Sequence, residues 1–119
     1  MAKVIHVDGK MLGIADKEWN LLDSNTNVKK FSKLYIKYNE DILEVAENTI
    51  SIMGFLVEAI PNILEGMLEL TKTERKKLDD ASFSDQYDIF REMTRKFLGI
   101  ELNSMSDEEV PEDPKEQEE

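Results

Sequence analysis

The sequence has no cysteine, one histidine and three prolines, and it lacks every G-x-G-x-x-G, P-loop, G-x-S-x-G and H-E-x-x-H pattern. Without thiols there is no disulfide framework, no thiolate nucleophile and no Cys-ligated zinc. Without the glycine-rich and zincin motifs, the usual means of cradling a phosphate or activating a metal-bound water are gone. Bases are scarce beside acids, 15 against 26, and the net charge of −11 repels nucleic-acid phosphates. No stretch sets Lys and Arg beside aromatic residues as a nucleic-acid groove does. The residues from Met1 to Asp8 lack the apolar run of a signal peptide, and no window reads as the roughly 18 apolar residues of a membrane span. The expectation is a non-enzymatic cytoplasmic chain, with no metal, cofactor, nucleic acid or membrane among its partners.

What is present is enough for one core. The 119 residues are 40% hydrophobic, which suits a single domain. Residues 103–119 hold eight acids against Lys115 alone, together with Pro111 and Pro114, which leaves −4 of the −11 for the rest. Such a segment has too little apolar surface to offset its ordering entropy and is expected to be a disordered tail. The fold class expected is mainly α: residues 1–102 as one helical domain, an N-terminal β-hairpin leading into a bundle with one long helix.

Local signals fill in this outline. Lys3 to Val7 and Lys10 to Ile14 flank Asp8-Gly9, which predicts a hairpin with a two-residue turn. Asp16 predicts an N-cap for a short helical turn carrying Trp19 as a core anchor. Val28, Phe31, Tyr35, Tyr38, Ile42, Val45, Thr49, Ile52, Leu56 and Ala59 then alternate steps of three and four, a heptad stripe. One helix over residues 27–60 would be about 50 Å long at ~1.5 Å per residue, against roughly 35 Å for a compact domain of this size. A break at Asn39-Glu40-Asp41 is the alternative, but the unbroken phase of the stripe favours the long helix. Pro61 predicts a stop or kink. Thr71 and Glu74 match a capping box, Ser82 or Ser84 a last N-cap, and Gly99 a left-handed helix ending.

Candidate site residues are few. His6 reads as a partly exposed strand residue without a catalytic partner. Asp79-Asp80 and Glu40-Asp41 lack the spacing of a calcium loop, and the oxygen-rich run from Asp23 to Asn27 reads as capping. The segment from Ile50 to Leu70 is more apolar than one helix face requires. Ile52, Phe55, Leu56, Ile63 and Met67 on this ridge are therefore the candidate partner-binding positions, for a second copy or a client helix.

The hairpin sequence Val4-Ile5-His6-Val7-Asp8-Gly9-Lys10, a helical body, the ending Phe97-Leu98-Gly99-Ile100 and an acidic, proline-containing tail together resemble the tail assembly chaperones of siphophages and prophages of Gram-positive bacteria. The resemblance implies a non-catalytic protein of the host cytoplasm that coats the tape measure protein and recruits tail-tube subunits. It also implies a longer, frameshifted form, for which the segment from Ser106 to Glu119 would be a linker. The alternative expectation is a small acidic regulatory, adaptor or inhibitor protein that binds a basic partner surface.

Overall fold

The structure, a computed structural model, describes residues 2–45 and 48–102. Strand β1 (Val4–Asp8) pairs antiparallel with β2 (Glu18–Leu22), Val4 facing Leu22 and Asp8 facing Glu18. Alternation puts Ile5 and Val7 in the core and Val4 and His6 on the outside. Four helices follow: α1 (Asn25–Val45), α2 (Thr49–Leu68), α3 (Lys72–Asp79) and α4 (Phe83–Met93), the last extended by one π turn over Thr94–Leu98. The chain is mainly helical behind an N-terminal hairpin, as the sequence predicts.

The strands connect differently from expectation. Asp8-Gly9 is not a two-residue turn: Asp8 caps a 3-10 turn over Gly9–Leu12, its carboxylate accepting from the Lys10 amide at 3.0 Å. Gly9 is required by crowding, since a Cβ there would run into the carbonyls of Ile14 and Lys17. Leu12 and Ile14, read as strand residues, instead drop from this loop into the core. Asp16 takes a positive φ of 61° and opens no helix, and Trp19 lies half-buried in β2 with the Lys17 ammonium 5.2 Å from its ring centre.

The stripe over residues 27–60 is divided between two helices, neither ending at Asn39. Asn48 caps α2 with an extended backbone, its side-chain oxygen accepting from Ser51 at 2.8 Å. The helices run antiparallel: ascending α1, Lys30 meets Glu69, Leu34 meets Gly66, and Tyr38 meets Phe55. Folding the rod in two brings both halves of the stripe onto one core and resolves its excess length. Pro61, expected to stop or kink its helix, lies within α2, which continues to Leu68 and ends at Glu69 in the left-handed region, φ 54°. The lost Pro61 hydrogen bond would have gone to the carbonyl of Val57, a residue open to water.

Aromatic packing fixes α4 across this hairpin. The Phe90 ring lies 6.0, 6.1 and 5.0 Å from those of Phe31, Tyr35 and Tyr38, and Phe97 is 5.6 Å from Phe31. Such pairs contribute about 0.5–1.5 kcal/mol each beyond their area. Local capping follows the sequence closely. Thr71 and Glu74 form the reciprocal box at 3.0 and 3.1 Å, Ser82 caps α4, Ser24 accepts from Asn27, and Gly99 closes the π turn with φ 72°. The acidic segment 103–119 lies outside the described residues.

Candidate interaction surface

The five ridge residues do not share one environment. Leu56, Ile63 and Met67 are 6%, 4% and 3% exposed and belong to the core, whereas Ile52 and Phe55 are half-buried. A buried position offers no contact surface without unfolding, so of the five only Ile52 and Phe55 keep partly accessible surface. Phe55 packs on Tyr38 and, with Leu34, Ala59 and Ile63, lines a shallow groove of about 150 Å³ along the seam between α1 and α2. Lys37, Asp41 and Asn62 form its polar edge.

The apolar side chains most open to water lie elsewhere. Ile50 is 84% exposed, Leu43 78%, Ile36 56% and Val57 51%. These four positions are seven residues apart in sequence, and each follows directly after a residue of the heptad stripe. Ile36 lies about 200° round α1 from Leu34, and Val57 about 200° round α2 from Ala59, at ~100° per residue. Since Leu34 and Ala59 line the seam, both exposed pairs point away from it, along the outer flanks of the hairpin.

Helix register alone does not explain their exposure. Leu64 is one heptad beyond Val57 on the same stripe of α2 and is fully buried, and Leu68 one turn on is buried too. Exposure on this face therefore rises from Leu64 through Val57 to Ile50, towards the turn of the hairpin. Leu43 and Ile50 stand uncovered at the turn-side end, with Glu40 and Glu44 exposed beside them, whereas α3 is tied to the far end of α2 through Arg75 and Glu65. By length and composition the stretch Ile50–Leu68 would suffice to cross a membrane, contrary to expectation, and a third of it is buried within the fold.

The signal for the outer pairs was present in the sequence as apolar residues out of phase with the main stripe. Phase separates them from the core, and the missing neighbour separates Ile50 from Leu64.

Polar side chains elsewhere in the described fold sit in local surface pairs. His6 sits in β1 with Nδ1 2.8 Å from the Asn20 side-chain oxygen and Nε2 3.7 Å from Glu18, all on an exposed edge. Among the described residues no three His, Asp or Glu side chains come together as metal ligands would. The best-connected charge is Arg75, which reaches Glu65 at 2.6 Å and Asp79 at 3.0 Å and ties α3 to α2. Burial pushes the Tyr38 hydroxyl well above the ordinary tyrosine range, with Tyr87 and Tyr35 adding to the shift. That is the behaviour of a core phenol. No protein-family model, curated protein or solved structure matches the chain.

Proposed function

We propose that this chain acts by binding another protein through the turn-side end of the α1–α2 hairpin, and that it does no covalent chemistry. The observation that carries this reading is the gradient along one face of α2, from fully buried Leu64 to Ile50 at 84% exposed. A face that is core at one end and bare at the other is a surface whose neighbour comes from outside the fold. Each Å² of apolar area left in water forgoes roughly 25 cal/mol, and a partner covering Ile36, Leu43, Ile50 and Val57 recovers it. Half-buried Ile52 and Phe55 would join the contact at its edge.

The chemistry of that partner is apolar and extended, as each heptad-spaced pair offers a helix its own flank of the hairpin. The sequence resemblance to tail assembly chaperones supports a long helical client, the tape measure protein, with tail-tube subunits recruited afterwards. Net charge of −11 would keep such a coated assembly soluble.

The test is a double substitution, Leu43→Ser with Ile50→Ser, in the full chain co-expressed with a tape measure protein fragment. The variant should keep the parental circular-dichroism spectrum and melting curve yet lose co-purification with the client. Undiminished co-purification would remove the hairpin end as the binding surface.

A further inference from the structure

Charge along the described residues is uneven in a way that neither the core nor the hairpin end uses. Residues 25–38 carry Lys29, Lys30, Lys33 and Lys37 and no acid, in a chain of net −11. Lys30 is held by Glu69 at 3.3 Å and Lys37 by Asp41 at 3.1 Å. Lys29 and Lys33 are exposed and meet no carboxylate among the described residues. With Thr26 and Lys30 they wall an open trough of about 500 Å³ whose floor is Leu34 and Gly66. A Cβ on Gly66 would stand 3.4 Å from Leu34 Cδ1, so glycine at this position keeps the floor low. Helix α3 also carries Lys72, Lys76 and Lys77, but Glu74 and Asp79 stand among them.

We propose that the trough binds the chain's own acidic C-terminal segment, residues 103–119. Charge complementarity selects that occupant: eight acids against one lysine, with Met105 and Val110 as apolar side chains for the floor. Reach does not limit it. Seventeen residues extend up to roughly 56 Å, beyond the molecule's longest dimension of 42 Å. Exposed ion pairs are individually weak, but a short tether supplies an effective concentration in the millimolar range. Docking is therefore intramolecular and salt-sensitive. The inference rests on the trough and its charge and stands apart from the partner assigned to the hairpin end.

The experiment compares backbone amide spectra of the full chain with a charge-neutralised variant, Asp107→Asn, Glu108→Gln, Glu109→Gln and Glu112→Gln. At about 20 mM salt, where screening extends over roughly 20 Å or more, the amides of residues 26–37 and Gly66 should shift between the two proteins. At about 300 mM salt the difference should vanish. The reverse variant, Lys29→Gln with Lys33→Gln, should move the amides of the acidic segment while leaving the melting curve in place. Carbodiimide should join Lys29 or Lys33 to a residue of that segment within one chain, at a yield independent of protein concentration. Unchanged amides at 26–37, shifts centred on residues 72–77, or cross-links that join two chains would each overturn the proposal.

Discussion

Leu64 and Ile50 lie on one stripe of one helix, two heptads apart, and truncating them should have opposite outcomes. Leu64 is fully buried, so Leu64→Ala removes its transfer free energy and leaves a cavity, costing about 2–5 kcal/mol. For a domain of about 100 residues, each kcal/mol lowers the midpoint by roughly 4–8 °C, and a central cost of ~3 kcal/mol gives a fall of roughly 12–24 °C. Total stability for this size is about 5–15 kcal/mol, so the variant should still fold at low temperature. Ile50, at 84% exposed, has little buried area to lose, and Ile50→Ser should stay within about 0.5 kcal/mol.

The assay is thermal melting by circular dichroism, with urea titration as a check that the slope is unchanged, at two protein concentrations tenfold apart. Equal losses for both variants at both concentrations would refute the reasoning, because Ile50 would then be internal to the monomer. A loss for Ile50→Ser that grows with concentration would instead identify a second copy as what covers the hairpin end.

Other substitutions test the elements that hold this surface in place. Phe90→Ala removes ring contacts to Phe31, Tyr35, Tyr38 and Tyr87 and should cost about 3–5 kcal/mol in a urea titration. Thr71→Ala breaks the capping box of α3 and should cost about 1 kcal/mol in the same titration. Gly9→Ala should cost more than about 1 kcal/mol, read as a lower melting midpoint, because the obstructing atoms are backbone carbonyls that cannot swing aside. For pH, the hydrogen bond from Lys17 and then that from the Thr71 amide hold Glu74 below the usual carboxylate range. Lys96 and Arg95 do the same for Glu92 against an opposing effect of burial. Both groups bind protons more weakly folded than unfolded, so their contribution is present at neutral pH and should be lost as pH falls below about 4.3. Tyr38 has the opposite sign: burial raises it, so the urea midpoint should fall once pH rises above about 10 and the unfolded chain ionises.

The features legible in the sequence were those decided within a few residues. Thr71 with Glu74, Ser82, Ser24 and Gly99 each close hydrogen bonds inside a single turn, so their local pattern suffices. Asp8-Gly9 misleads because the same pair serves a type I′ turn or an aspartate-capped 3-10 turn. The choice rests on the burial of Leu12 and Ile14 in the core. Asn39 and Asn48 are both chemically competent caps, and a stripe that stays in phase across each gives no reason to prefer either. Antiparallel contacts such as Tyr38 with Phe55 decide for Asn48, and these join residues that no local window compares. Pro61 shows the limit of a propensity rule: its cost is fixed, whereas burial along α2 on both sides of it is larger.

The candidate site follows the same logic one level up. The sequence marked the segment from Ile50 to Leu70 as too apolar for one helix face, and the structure resolves that excess into two populations. Leu56, Ile63 and Met67 use it internally, because α2 is central and meets α1, α3 and α4. Ile50 and Val57 do not, because no element of the described fold reaches the turn-side half of their stripe. Hydrophobicity and periodicity are equal for Leu64 and Ile50, so neither could have separated them. The separating quantity is how far the covering elements extend along the hairpin, and that depends on the short length of α3 and on the aromatic anchoring of α4 at Phe31, Tyr35 and Tyr38. Exposed apolar surface is thus created by what stops short, rather than by a distinct sequence motif.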